Sequence, residues 1–265
     1  LTVSLDGIGF NSTTNHLFVS DKQVHRVMVY DVGTISNGEA AVNVVGQTDS
    51  AGAITYVKSN PHNGPNSTGF SSPNDTAIDS VNHRLFVPDS VNHRVLVFNL
   101  NASNQITDYT ADYVLGQADL GSDTATTTQS GMNGPTYVEY DEINGRLFVS
   151  DTANNRVLVF SFPETISSGQ AADYVLGQAN FTSASSATTQ SGLWSPQGLA
   201  FGDNLLFVAD NTNHRIIVYD VTGITNGENA ANVLGQSSFT TRSTGTTAAT
   251  LNGPSDVAHD SANNR

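Results

Sequence analysis

Leu85-Phe86-Val87-Pro88-Asp89-Ser90-Val91-Asn92-His93-Arg94-Val95-Leu96-Val97-Phe98 decides the fold. Two apolar, β-branched runs flank a polar turn, with an aspartate closing the first run and an arginine opening the second. The stretch returns as LFVSD at 17–21 and 147–151 and as LFVAD at 206–210, each followed by an apolar run that opens with arginine. The resulting pairs are Asp21 with Arg26, Asp89 with Arg94, Asp151 with Arg156 and Asp210 with Arg215, and the turns between them read KQVH, SVNH, TANN and NTNH. A connection that never changes length predicts a rigid β-hairpin, and a hairpin recurring at a long period predicts a repeat architecture.

Working outward, each copy carries a second signature: Val45-Gly46-Gln47, Leu115-Gly116-Gln117, Leu176-Gly177-Gln178 and Leu234-Gly235-Gln236. A Thr/Ser-rich loop follows, and the next copy opens with Pro73, Pro135, Pro196 or Pro254 ahead of a short alternating segment. Every copy therefore reads as four short strands: a after the proline, b ending in aspartate, c from the arginine, and d ending at Gly-Gln. Successive repeat aspartates lie 68, 62 and 59 residues apart, and the variation falls in the d–a loops, as it does in surface connections. Four antiparallel strands per copy make a β-propeller blade, so the reading is an all-β propeller with blades at about 5–48, 73–118, 135–180 and 196–238. A fifth blade starts at 254 and reaches only its first strand by Arg265. Either further sequence completes it or another chain supplies its strands, and continuation is the favoured expectation. Residues 1–265 read as a single, incomplete propeller, and Phe18, Val19, Val95, Val97, Val157, Val159, Phe207 and Ile217 are expected between the blades.

Composition narrows the function classes. The chain has 265 residues, 37% hydrophobic and only 13% charged, with a formal charge of −14. A core of real size is affordable, whereas a nucleic-acid or anionic-membrane partner is disfavoured because only Lys22 and Lys58 represent lysine. No apolar run has the length of a spanning helix. Cysteine is absent, which removes disulfides, thiolate metal sites and cysteine nucleophiles together. Abundant Ser, Thr and Asn with scarce Lys is the composition of many secreted and cell-surface proteins. N-x-[ST] sequons at Asn11, Asn66, Asn74, Asn101 and Asn180 carry little weight in so Asn- and Thr-rich a chain.

The pattern P-x-[GD]-h-A-h-D followed by LFVAD-x-x-NHR-h-h-V-[FY] resembles the NHL repeat. It is most specific at Asp89–Arg94 and Asp210–Arg215, weaker at Asp151–Arg156, where Asn155 replaces His, and weakest at Asp21–Arg26. The VLGQ-x-x-F stretch with its TTQSG loop is similar to secreted bacterial NHL-repeat proteins. The resemblance implies a propeller, six-bladed by the family's habit, with a non-enzymatic role as an extracellular or cell-surface scaffold for a protein or glycan. Two alternatives stand beside it. One, from the incomplete fifth blade, is a filament or surface-layer subunit joined through the open blade edge. The other is a metal-dependent enzyme, since NHL-like propellers include a lyase using zinc and calcium and related propellers include lactonases. No His, Tyr and Arg set can be matched to that lyase, and no G-x-S-x-G elbow occurs.

Candidate residues follow from position in the repeat. The Asp and Arg pairs read as structural, aspartate holding the turn and arginine pairing with it or with the next blade. His25, His93 and His214 share one turn position, which suggests zinc; their separation on different blades and Asn155 in the fourth slot argue against it, so no metal or cofactor is expected. His259 falls on the innermost strand, on the same side as Val257. Trp194, with Met132 as its counterpart and Leu193 and Leu251 nearby, either pins the d–a loop or anchors a ligand. The expected binding face is therefore made by Trp194, Met132, His25, His93 and His214. The loops at 124–130, 183–191 and 240–250 read as hydrated surface or as acceptors of O-linked sugar.

Overall fold

The computed structural model describes residues 5–49, 52–57, 64–162 and 165–260. Among them are four antiparallel sheets of four strands each, the all-β propeller arrangement. Blade one comprises β1 (Leu5–Asn11), β2 (His16–Asp21), β3 (Arg26–Asp31) and β4 (Asn43–Val45). Blade two comprises β5 (Ala77–Asp79), β6 (Arg84–Asp89), β7 (Arg94–Asn99) and β8 (Tyr113–Leu115). Blade three holds β9 (Pro135–Asp141), β10 (Arg146–Asp151), β11 (Arg156–Ser161) and β12 (Tyr174–Leu176). Blade four holds β13 (Pro196–Gly202), β14 (Leu205–Asp210), β15 (Arg215–Asp220) and β16 (Asn232–Leu234). Each sheet is a simple meander in chain order. No helix among the described residues is long and apolar enough to cross a membrane.

The b–c hairpin has one construction throughout. Asp and Arg are directly opposed in register at Asp21–Arg26, Asp89–Arg94, Asp151–Arg156 and Asp210–Arg215. Between them runs a single 3-10 turn that ends on a left-handed residue: His25, His93, Asn155 and His214 have φ of 56°, 54°, 52° and 55°. Asn and His are among the side chains that best tolerate this region, so the fourth turn position alternates between those two residue types.

Residues 254–260, expected as the first strand of a fifth blade, carry no assigned strand, and 261–265 lie outside the described residues.

The chain forms two compact units, essentially blades one and two in the first and blades three and four in the second. In the first, Phe18, Val27, Val29 and Val45 of blade one meet Leu85, Val87, Leu96 and Phe98 of blade two in one buried cluster. In the second, Phe148, Val157, Val159 and Leu176 of blade three meet Leu206, Val208, Ile217 and Tyr219 of blade four. The same positions do the same work twice. Period-2 alternation on strands b and c divides every blade into a Phe/Val/Val face and a Leu/Val/Ile-type face that pack against each other.

A d–a loop is held on its blade by one apolar plug three residues before the next proline. Met132 and Leu193 fill this role, fully buried over Gly116 and Gly177. These glycines have φ of +86° and +85°, and a Cβ on them would stand 2.8 Å from the Met132 side chain and 2.5 Å from that of Leu193. Gly177→Ala should therefore combine backbone strain with overpacking and cost about 2–4 kcal/mol. Leu193→Ala should cost about 2–5 kcal/mol through its cavity. The double variant should lose less than the sum, since alanine at 193 makes the missing room; strict additivity in denaturant unfolding would contradict the plug.

Candidate functional site

The loops between blades are shaped by buried charge. Arg94, Arg156 and Arg215 are fully buried, and each donates Nε–H to its aspartate, Asp89, Asp151 or Asp210, at 2.8, 2.7 and 2.7 Å. A guanidinium has five donors, and those not used on the carboxylate must find protein acceptors once water is gone. They find loop carbonyls. Arg94 reaches Leu120 O at 2.6 Å and Asn66 O at 2.9 Å. Arg156 reaches Phe181 O at 2.5 Å and Thr128 O at 3.0 Å. Arg215 reaches the Phe239 carbonyl, Thr189 O at 2.9 Å and Gly192 O at 2.8 Å. Each arginine thus grips its own d–a loop and the one before. The aspartates reciprocate: Asp89 Oδ1 accepts from Ser71 N at 2.6 Å and Asp210 Oδ1 from Trp194 N at 2.7 Å. Burial pushes the Asp89 and Asp210 carboxyls up, against the pull of Arg94 and Arg215.

The turn histidines have a definite task. His25 Nδ1 accepts from Ser72 N at 3.0 Å, His93 Nδ1 from Gly134 N at 3.0 Å and His214 Nδ1 from Gly253 N at 2.9 Å. In the remaining slot Asn155 Oδ1 accepts from Ser195 N at 2.8 Å, which explains why Asn serves there. The partner is always the residue just before the next proline, so this position latches the loop entering the following repeat. The Gly-Gln signature locks the loop's other end. Gln117, Gln178 and Gln236 donate Nε2–H to the carbonyl of the left-handed residue at 3.0, 2.9 and 2.9 Å and also to Thr124, Ser185 and Ser243.

Met132 requires correction as a binding residue. It is fully buried and is the counterpart of Leu193, not of Trp194, whose position before the proline is one residue later. Trp194 is half-buried, with Arg242 stacked 4.7 Å from its ring and its carbonyl accepting from Thr212 N at 3.2 Å. His259 stacks on Phe207 at 5.1 Å.

Two features escaped sequence reading. Asp79–Arg84 and Asp141–Arg146 form a second layer of ion pairs, at 3.7 and 2.6 Å, with the same five-residue interval as the first; that interval was the available signal. Glu139 occupies a strand-a position held by Ala77, Ala200 and Ala258 in other copies, and it accepts from Phe201 N at 3.2 Å. Burial, then Asp256 and Asp141, push its carboxyl up to about 7. Among the described residues no three His, Asp or Glu side chains are grouped to hold a metal. Among the described residues, Arg26, Arg84, Arg94, Arg146, Arg156 and Arg215 are committed to ion pairs with aspartates.

Comparison with known proteins agrees with this construction. The NHL repeat family model matches residues 193–219, which span the Leu193 plug, the Asp210–Arg215 pair and β15. An NHL repeat in a β-propeller is a general protein-interaction scaffold type. No curated protein matches. A solved structural-genomics protein of unknown function from Bacteroides thetaiotaomicron VPI-5482 is similar in fold, with TM-score 0.56 and 17% identity over 96% of this chain. The chain spans about half that protein's length, 53%.

Two pH effects follow. Burial lowers the His25 imidazole below its usual 6.5, with Asp89 pulling the other way. The latch's contribution is complete above about pH 6.5 and falls as pH drops toward the native value, since the unfolded chain takes up the proton first. His25→Asn keeps the acceptor without titrating, so its stability should decline less below pH 6.5 than the wild type's; superimposable profiles would refute the latch. Glu139 has the opposite sign: its raised value means that stability falls as pH rises from the ordinary carboxylate range through about 7. Glu139→Gln should leave stability at acid pH unchanged and raise it above neutrality by about 1–3 kcal/mol, read from denaturant midpoints.

Proposed function

We propose that this chain is a non-enzymatic binding scaffold, extracellular or displayed at a cell surface, that holds a protein or glycan on its d–a loops and b–c turns. The observation that carries the reading is the treatment of Trp194. Its amide and carbonyl are both fixed, by Asp210 and Thr212, while its ring stays half-exposed beneath the Arg242 guanidinium. An aromatic side chain on an immobilised backbone costs little ordering entropy when a ligand arrives, and tryptophan and arginine are the residue types that dominate binding hot spots.

The loops around it are supported alike in each repeat by buried Arg, Gln and His or Asn side chains, which spends the polar residues on holding loops rather than on an asymmetric reacting centre. Thr- and Ser-rich loops with few cations suit neutral or basic ligands and repel polyanions. The cysteine-free, Ser/Thr/Asn-rich composition is the support for an external location.

Trp194 is the chain's one tryptophan, so its fluorescence reports directly on this face. Titrating glycans and peptides found by array screening should shift that emission, and Arg242→Ala or Trp194→Ala should weaken binding by about 30-fold or more for a hot-spot pair. A ligand that binds without moving the emission and tolerates both substitutions would place recognition elsewhere.

A further inference from the structure

The two loops that meet at Trp194 differ in charge from the rest of the chain. Residues 174–202 and 229–255 contain no aspartate or glutamate, and Arg242 is the one charged side chain in either stretch. The matching loop of blade two carries Asp119 and Asp123, the latter at the position of Arg242. A chain of formal charge −14 thus keeps one short region in which a cation has no acid beside it in sequence. Trp194, Thr212 and Arg242 all belong to the second compact unit.

Arg242 is held from two sides. The next residue, Ser243, is tied to Gln236, donating N–H to Oε1 at 3.0 Å and accepting from Nε2 at 2.9 Å. The Arg242 guanidinium lies over the Trp194 ring, with Cζ 4.7 Å from its centre, and the Trp194 backbone is fixed by Asp210 and Thr212. A guanidinium held over an aromatic ring through its flat face keeps its in-plane N–H edge for an acceptor. Arg94, Arg156 and Arg215 turn that edge to aspartates and loop carbonyls in the interior. Arg242 is exposed and has no acceptor among the described residues.

The group that best fits a guanidinium edge is a carboxylate, which accepts two parallel N–H bonds. The surroundings narrow what carries it. Of the exposed large apolar side chains none falls in 178–202 or 236–255, so a peptide finds no apolar contact there beyond the indole. Thr212, Thr240 and Ser243, next to the pair in space or in sequence, offer hydroxyls instead. The net charge repels a polyanionic chain from the molecule as a whole, so the fitting ligand bears a single acid on an otherwise neutral body.

Resting on the scaffold reading above, we infer that Trp194 and Arg242 recognise a sugar carboxylate, a uronic or nonulosonic acid at the end of a neutral glycan. The carboxylate takes the Arg242 edge, the C–H groups of the pyranose lie on the uncovered part of the indole, and the sugar hydroxyls turn to the threonine and serine side chains.

Trp194 fluorescence titrations with lactose, sialyllactose and glucuronyl-lactose test this, since the three share one neutral core. At least one acidic glycan should bind about tenfold or more tightly than lactose, and which one does so identifies the acid. Arg242→Gln, at an exposed side chain, should bring that glycan down to the affinity of lactose. Arg242→Lys should recover part of the preference, because it restores the charge without the fork. Added salt should weaken the acidic glycan and leave lactose unchanged. Equal affinity for all three, or a preference that survives Arg242→Gln, would overturn the carboxylate assignment and leave the scaffold reading standing. Silence from all three glycans would also overturn it, and the scaffold reading falls as well only if arrayed peptides and neutral glycans fail to bind.

Discussion

An arginine sealed from water must satisfy every N–H it carries, and this requirement organises the molecule. Aspartate accepts at Nε, the fork beyond it still needs partners, and backbone carbonyls of the two adjoining loops accept from Arg94, Arg156 and Arg215. Removing one member of such a pair strands a charge in the interior, which costs about 3–5 kcal/mol in comparable cases. Loops that vary freely in sequence and length are thereby forced through fixed points. The hairpin stays constant because the carboxylate and the guanidinium must meet across it.

Much of this was legible because it repeats. The Asp to Arg interval, the proline starts and the Gly-Gln ends each recur, and recurrence in a single chain separates architectural need from chance. The partners of those residues were not legible, since they are backbone groups with no sequence identity. His25, His93 and His214 looked like potential ligands; their ring nitrogens are acceptors for loop amides, and Asn155 in the same slot was the clue. Met132 and Trp194 were paired by nearness to proline, yet a one-residue offset puts one over a glycine in the core and leaves the other half-exposed. Glu139 was hidden inside a strand whose apolar neighbours drew the eye, although alanine in the matching copies marked it as foreign.

Because blade one packs on blade two and blade three on blade four within each unit, the stability of a repeat is a property of pairs, as in other repeat proteins. Identical residue patterns consequently appear in two states within one molecule: Tyr219 is wholly enclosed, while Tyr30 lines a groove.

The internal pairing of arginine has a further consequence, for the ionic atmosphere. Cations locked against aspartates inside the blades do nothing to balance the other acids, so the formal charge of −14 is carried by groups outside these pairs. Two such surfaces approaching each other repel over roughly 10 Å in 0.1 M salt and over much less as salt rises. The sealed pairs are shielded from that screening. Added salt therefore leaves the fold's own electrostatics in place while it removes the barrier between molecules, and crowding of this protein is governed by counterions more than by its buried ion pairs.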